Sequence, residues 1–209
     1  MWRKKSVWII SCLIINLFIL GATTKTSAAN KATPSPLKYS ASVKQNSSTT
    51  NSKLKHLQQL LADTGFYPGS MTGLLDVTTK EAITSAQKAL KLKQTGQYDP
   101  KLADLLTQEA KNKPQSYLKK LSLQATAYTS QDPGCGNLTK REHYLRKGLV
   151  AVDPKIIPLG TRLYIEGYGY AIADDIGSAI KGNKIDLAYE NRKDAFSFGR
   201  KTVTVFVLN

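Results

Sequence analysis

The apolar residues of this 209-residue chain change their spacing near position 119, and this change restricts the possible folds most. Before it, apolar residues recur every three or four positions, as at Leu57 and Leu61, which is typical of amphipathic helices. After it, apolar and polar residues alternate, as at Leu121 and Leu123, which is typical of a strand with one covered face. The sequence therefore predicts a helical part followed by a separate β part.

The N-terminal segment has the features of a secretory signal. Arg3, Lys4 and Lys5 supply the positive end, Val7–Ala22 is largely apolar, and Ser27–Ala29 provides small residues for cleavage. An uncleaved membrane anchor is the alternative, because the apolar stretch is slightly long for a signal peptide. With cleavage we expect a secreted or wall-located protein without stable membrane association.

Signal cleavage leaves Cys135 as a single cysteine, which excludes an internal disulfide. Stability must then come from burial of apolar surface, which favours compact modules. Cys135 lies in a loop-like run and is interpreted as a structural thiol. The two histidines, His56 and His143, are too few for a typical zinc site, so we predict no metal and no cofactor.

The formal net charge is +15, which attracts a secreted protein to anionic polymers. Nucleic acid is the rival partner, but the sequence lacks an arginine-rich run or an interleaved aromatic and basic motif. Charge and export together predict binding to the anionic polymers of a cell wall. We expect the protein to be a monomer.

Composition and periodicity divide the chain into five segments. Residues 30–52 are rich in Ser, Thr, Lys, Asn and Pro without apolar periodicity, so they are predicted to be a disordered, extended linker. Ser52, Thr78 and Asp99 are the predicted N-caps of three short helices. The predicted segments are a signal peptide (1–29), the linker (30–52), a three-helix module (53–110), a polar joint (111–118) and a β module (119–209).

The helical module resembles the three-helix type of peptidoglycan-binding domain. It departs from the family at Thr72, Leu75 and Asp76, next to the family's ligand groove, so a helical spacer that binds nothing is the alternative. The matching residues are Leu57, Gln58, Leu61, Gly65, Phe66, Tyr67, Gly69, Gly73, Thr78, Ala82, Ala86, Gln87, Leu90 and Gly96.

The β module is predicted to close into a small barrel, since closure removes exposed strand edges. Asn191 can cap one helix that ends at Gly199. The predicted fold class is α+β multidomain, with a three-helix module and a C-terminal six-stranded barrel. The strand candidates after the first are 149–152, 161–166, 168–173, 184–189 and 202–208.

Three aspartates lie at the edges of strand candidates in this part: Asp153, Asp175 and Asp186. A protonated carboxyl group can donate its proton to a leaving glycosidic oxygen, so these residues suggest cleavage of a glycan. Each also has a structural reading. Asp153 precedes a proline and fits a turn, Asp174 and Asp175 can be a solvated pair on opposite strand faces, and Asp186 can belong to a structural ion pair.

The β module also resembles the 3D domain, a family named for three aspartates, and the C-terminal region of membrane-bound lytic transglycosylase A. This resemblance implies a double-psi β-barrel and a peptidoglycan substrate. The matching residues are Ala125–Tyr128, Gly148, Ala151–Pro154, Ile157–Thr161, Glu166–Gly169, Ala171, Asp175, Gly177, Ala179–Asn183, Ile185, Asp186 and Phe198–Arg200.

The resemblance also implies roles for individual residues. Asp186 is the predicted acid and base, Asp175 an electrostatic neighbour that raises its pKa, and Asp153 a residue that orders the cleft or binds sugar hydroxyls. The predicted substrate contacts are Tyr128, Lys181 and Asn183.

The predicted function is a lytic transglycosylase that cuts the bond between N-acetylmuramic acid and N-acetylglucosamine. A non-catalytic, expansin-like wall-binding protein and a muramidase-type hydrolase are the alternatives. The first alternative gains support from residues 139–142, where the family's Thr-Ala-Thr/Ser-Gly turn is replaced by Thr-Lys-Arg-Glu. Ile176 and Ser178 also stand where threonine and glycine are usual.

Overall fold

The structure, a computed structural model, describes residues 41–208, with side chains from residue 52. The predicted signal peptide, residues 1–29, lies outside the described residues, and so do residues 30–40 of the predicted linker. The described helices and strands are α1 (Ala41–Asp63), α2 (Val77–Ala89), α3 (Pro100–Ala110), β1 (Lys119–Tyr128), β2 (Leu149–Val152), β3 (Arg162–Ile165), β4 (Gly169–Asp175), β5 (Lys184–Ala188), α4 (Arg192–Phe198) and β6 (Lys201–Val207).

Helix α1 starts earlier than the sequence predicts. It begins at Ala41, so residues 41–52 are helical where an extended linker is predicted, and Ser52 lies inside the helix and is not its N-cap. The physical reason is cooperativity, since adding a residue to a helix already anchored by packing costs far less than starting one. Among the described helices, none is long and apolar enough to cross a membrane.

The three N-terminal helices share one apolar core. Asp99 caps α3 as predicted, and Pro100 occupies its first turn. Helix α2 is capped by Asp76, whose carboxylate accepts the Thr79 N–H at 2.7 Å, and not by Thr78. Asp76 has an extended backbone immediately before the helix and can therefore bond the free N–H three residues on. The core includes Leu57, Leu61, Tyr67, Ile83, Ala86, Leu102 and Leu106.

The six strands form a closed barrel in the order β1-β5-β2-β4-β3-β6. Strand β5 lies between β1 and β2, parallel to the first and antiparallel to the second. Strand β4 lies in the same way between β2 and β3, parallel to β2 and antiparallel to β3. Strand β6 closes the barrel through antiparallel pairs with β3 and β1. The predicted α+β class is confirmed, and the repeated inserted strand matches the predicted double-psi barrel.

Alternate residues of each strand fill the barrel interior, as the period-two pattern predicts. The side chains between them face outward, and they carry the chemistry described below. Helix α4 is capped by Asn191 and ends at Gly199, both as predicted. The interior includes Leu123, Ala125, Val150, Val152, Ile157, Leu163, Ile165, Ala171, Ala173, Ile185, Leu187, Val203 and Val205.

The helical module packs directly on the barrel through Arg162 of β3. Its Nε donates to the Thr64 carbonyl at 2.6 Å, and one terminal nitrogen donates to Glu109 Oε1 at 2.6 Å. The guanidinium also lies 3.7 Å from the centre of the Phe66 ring. A Cβ added to Gly65 would approach the Ala171 carbonyl oxygen at 3.1 Å, so this contact requires a glycine.

We predict that Arg162→Met lowers the free energy of unfolding by about 2–4 kcal/mol. The substitution leaves the largely buried Glu109 carboxylate unpaired, and its Oε2 already has no hydrogen-bond partner. Chemical denaturation checks the value. Lys113→Met is the control, because the exposed Lys113–Glu166 pair should contribute less than about 1 kcal/mol. Equal losses in both variants would contradict the prediction.

Candidate active site

Asp186 faces outward from the barrel at the middle of β5. Its neighbours Ile185 and Leu187 both point into the interior, so alternation directs the carboxylate to the outer face. There Asp186 is paired with Thr126 of β1 on one side and with Ala151 of β2 on the other. The acid therefore lies on a surface built by three adjacent strands.

A register shift brings Asp175 to the same face. Val150 pairs with Ala173, but the next residue of β2, Ala151, pairs with Asp175, so β4 has one extra residue, Asp174. Such a bulge changes the side to which the following side chain points. Asp175 and Asp186 therefore flank Ala151 from opposite sides, with their Cα atoms about 10 Å apart from two strand spacings.

Asp186 is half-buried and has one close side-chain partner. The Thr126 hydroxyl donates to its Oδ1 at 2.7 Å. Burial raises the pKa of Asp186, and the negative charges of Asp132 and Asp175 raise it further, against the lowering effect of the Thr126 hydrogen bond. A raised pKa favours the protonated carboxyl group that a general acid needs.

Asp132 is a site residue that the sequence analysis missed. Its Oδ2 accepts the Thr129 N–H at 2.8 Å, and its Oδ1 lies 3.2 Å from Nε of Arg192. These contacts hold a carboxylate near Asp186, and its effect on the Asp186 pKa exceeds that of Asp175. The run Asp132-Pro133-Gly134 indicates only a turn, so no sequence signal could have identified this role.

Cys135 follows the same turn and packs on the apolar patch beside the acids. Burial raises the pKa of its thiol, and the charges of Asp132, Asp186 and Asp175 raise it further. A thiol in that environment is a poor nucleophile, which agrees with the structural interpretation. The patch comprises Tyr128, Ala151, Ile180 and Ala188, with Cys135 and Leu145 at its edge.

The Asp175 carboxylate is fully engaged by groups of the protein. Its Oδ2 accepts the Tyr128 hydroxyl at 2.9 Å, and its Oδ1 accepts the N–H groups of Lys140 and Ile176, both at 2.8 Å. Tyr128 is only 8% exposed, and burial followed by the Asp175 charge raises the pKa of its phenol. The structure thus places Tyr128 as a neutral donor to Asp175, whereas the sequence predicts a substrate contact.

Asp174, the extra residue of the bulge, is completely buried. Its carboxylate accepts the Thr139 hydroxyl at 2.6 Å and Nη1 of Arg141 at 3.0 Å, and Nδ1 of His143 lies 2.9 Å away. These bonds hold the loop 139–143 beside Asp175. The sequence suggests a solvated acid here, and that reading is wrong because the loop covers the bulge.

Asp153 holds a loop and does not join the other acids. Its two oxygens accept the N–H groups of Lys155, at 3.0 Å, and Gly182, at 2.8 Å. Those backbone hydrogen bonds lower its pKa, with the Gly182 bond contributing most. The residue therefore orders the segment that carries two of the predicted substrate contacts, Lys181 and Asn183.

Lys181 and Asn183 line a groove of about 340 Å³ on the outer face of the barrel. A larger cavity of about 650 Å³ lies between the helical module and the barrel, and its lining includes Arg146, Tyr168 and Tyr170. Neither Asp175 nor Asp186 lines these two spaces. Among residues 52–208, no group of three His, Cys, Asp or Glu side chains is arranged to hold a metal ion.

Two segments match known protein families. Residues 148–209 match the model of the 3D domain, and residues 50–106 match that of a "peptidoglycan binding domain". Both resemblances that the sequence suggests are thereby confirmed.

Individual relatives match only part of this chain. The cell wall-binding protein YocH of Bacillus subtilis (strain 168) is 50% identical over 95 residues, which are 44% of this chain and 33% of YocH. The SPbeta prophage-derived uncharacterized protein YorM of the same organism is 38% identical over 92 residues, which are 39% of each chain. The match thus spans well under half the length of these curated relatives.

Solved structures show weak overall similarity. The lytic transglycosylase MltA from Escherichia coli is 26% identical, with a TM-score of 0.31, over 34% of this chain and 27% of MltA. The expansin of Clavibacter michiganensis is 15% identical, with a TM-score of 0.32, over 44% of this chain and 51% of the expansin.

We predict that Asp186→Asn raises the free energy of unfolding at pH 7. The folded pKa of Asp186 exceeds its unfolded value of about 3.9, so its contribution to stability is complete below that value and lost as pH rises through the folded pKa. Asparagine cannot ionise, and its carbonyl oxygen can still accept the Thr126 bond. Denaturation at about pH 3 and pH 7 should show stabilisation only at pH 7; stabilisation only at acid pH would contradict the prediction.

Glu142→Gly should stabilise the protein by about 0.5–1 kcal/mol. Glu142 has a φ of 66°, a left-handed conformation that glycine adopts without strain. Thermal unfolding measures the change. Glu81→Gly, at an exposed position of helix α2, is the matched control and should cost about 1 kcal/mol. Destabilisation by both substitutions would argue against strain at Glu142.

Proposed function

We propose that this protein acts in the cell wall as a lytic transglycosylase, with Asp186 as the general acid and base. One observation supports this proposal most directly. Asp186 points outward on one face of the barrel, is partly buried and has a raised pKa. The matched 3D and peptidoglycan-binding models support a wall glycan as the substrate. The name of YocH, a cell wall-binding protein, supports the same location.

In this proposal Asp186 first gives its proton to the glycosidic oxygen as the bond from that oxygen to the muramyl anomeric carbon breaks. The muramyl 6-hydroxyl then attacks the same carbon and forms a 1,6-anhydro ring. Asp186, now a carboxylate, takes the proton of that hydroxyl and returns to its starting state. No water is consumed, and one carboxyl group serves both steps.

Three other aspartates support this chemistry without transferring protons. Asp175 is held by three donors on the same face, so its negative charge can stabilise positive charge on the sugar ring in the transition state. Asp132 acts through the pKa of Asp186. Asp153 orders the loop at the edge of the face through Gly182.

A muramidase-type hydrolase is less well supported by the same contacts. Such an enzyme needs a second carboxylate that attacks the sugar or activates a water molecule. Asp175 is the candidate that β4 places on this face, but both of its oxygens already accept bonds from Tyr128, Lys140 and Ile176. An intramolecular attack by the substrate avoids this requirement.

A non-catalytic wall-binding protein is the second candidate. The observation that favours it is the exposed, charged loop at Lys140, Arg141 and Glu142, where the family has smaller residues. Lys140 donates its backbone N–H to Asp175, so this loop stands at the edge of the proposed site. A crowded edge would leave glycan binding in place while it hinders the approach of the scissile bond.

Digestion of purified sacculi followed by mass spectrometry of the soluble fragments tests the proposal. We expect fragments with anhydromuramyl ends. Asp186→Asn should keep sacculus binding and release fragments about 10²–10⁴-fold more slowly, the range typical of a lost general acid.

Asp104→Asn, at an exposed position of helix α3, is the matched control and should digest sacculi as the wild type does. Reducing ends on the fragments would point to a hydrolase. Binding of wild-type protein without any release would favour the wall-binding candidate, and undiminished release by Asp186→Asn would remove the assignment of the acid.

A further inference from the structure

We infer that the groove beside Asp186 binds a sugar of the glycan strand whose carboxylate carries no peptide, and thereby selects which linkage reaches the acid. This inference rests on the proposed function and adds the determinant of its specificity. The groove, here called the basic groove, has a volume of about 340 Å³. Its side chains are Ser122, Gln124, Lys181, Asn183, Lys184 and Thr202, with Leu123 of β1 at its base.

Strand register places the basic groove next to the acid. Gln124 of β1 pairs with Lys184 of β5 and with Thr202 of β6, which forms one row across three strands. The next outward row on the same two strands is Thr126 with Asp186. Successive outward residues of a strand are about 7 Å apart, so the groove begins one row from the proposed acid.

The lining of the basic groove is suited to an anionic sugar. It presents two ammonium groups, two amides and two hydroxyls, and no carboxylate is among its lining residues. Lys184 Nζ donates one hydrogen bond to the Ala179 carbonyl oxygen, at 3.3 Å. An ammonium group has three N–H donors, so two remain for a ligand. Hydrogen bonds from an ammonium group to a carboxylate are stronger than those to a neutral hydroxyl, so a carboxylate is the preferred ligand.

Of the two lysines, Lys184 is expected to matter more. The charge of Lys181 is partly offset by nearby Asp153, whose carboxylate binds the N–H of the adjacent Gly182. Lys184 belongs to β5 itself, two residues before Asp186, so its distance from the acid is set by the strand. A carboxylate bound by Lys184 is therefore held at a fixed separation from the acid.

The apolar patch of Tyr128, Ala151, Ile180 and Ala188 is buried, with each side chain at most 9% exposed, so it offers a bound strand no surface of its own. The orientation of a strand at Asp186 therefore depends on the basic groove. If carboxylate-bearing and neutral sugars alternate along the strand, seating the charged one in the groove presents only every second linkage to Asp186.

The size of the groove agrees with a single subsite. A volume of about 340 Å³ lies at the lower end of the range for small-molecule sites, about 300–1,000 Å³. It suits one substituted sugar ring more than a long oligosaccharide.

The test measures binding by the full chain carrying Asp186→Asn, so that the strands are not cut. The probes are peptide-free glycan strands from sacculi, either untreated or with their carboxylates coupled to a neutral amine. We expect the blocked strands to bind about tenfold more weakly, the effect of losing one charge-assisted hydrogen bond. Adding Lys184→Gln should abolish this difference, and Lys184→Arg should preserve it.

Lys93→Gln in the exposed part of the helical module is the matched control and should keep the full difference. Equal affinities for the two kinds of strand, or equal effects of Lys184→Gln and Lys93→Gln, would overturn the inference. A polyol phosphate polymer that binds more tightly than the strands and depends on Lys184 would also overturn it, by identifying another occupant. Because the readout is binding, it is independent of whether sacculi are cut.

Discussion

The buried carboxylate of Asp174 is the interaction on which the architecture of the site depends. A buried charge is unfavourable unless it is paired and hydrogen-bonded, and Asp174 obtains these partners only from the loop 139–143. That loop then donates the Lys140 N–H to Asp175. Asp174 is itself the extra residue of β4. The bulge that it forms also turns Asp175 outward. One bulge therefore produces both the support and the acidic face.

The two modules are joined by more than the chain between them. Arg162 binds a carbonyl, a carboxylate and an aromatic ring of the helical module, and Arg146 donates to the Tyr67 carbonyl. Contacts of this kind restrict the orientation of one module on the other. A wall polymer bound by the helices would consequently lie in a defined direction relative to Asp186, which suits an enzyme that acts on long strands.

Much of the fold could be predicted because its signals are local. Alternation located all six strands to within a few residues, and Asn191 and Gly199 marked the ends of α4. The start of α1 could not be predicted, because a polar helix that extends from a packed one has no apolar pattern of its own. Alternation also indicates that Asp186 faces outward, but it gives no reason to choose Asp175 over Asp174, since only the pairing of β4 with β2 reveals the bulge.

The sequence by itself determined the division into a helical and a barrel part, the family resemblances and the identity of the proposed acid, because periodicity and motif order are properties of neighbouring residues. Only the tertiary structure decided that Asp132 lies close enough to influence Asp186, that Tyr128 donates to Asp175, and that Lys184 shares a groove with Gln124 and Thr202. These facts depend on which distant strands and loops meet. Burial and charge then act across those contacts, and no local pattern encodes them.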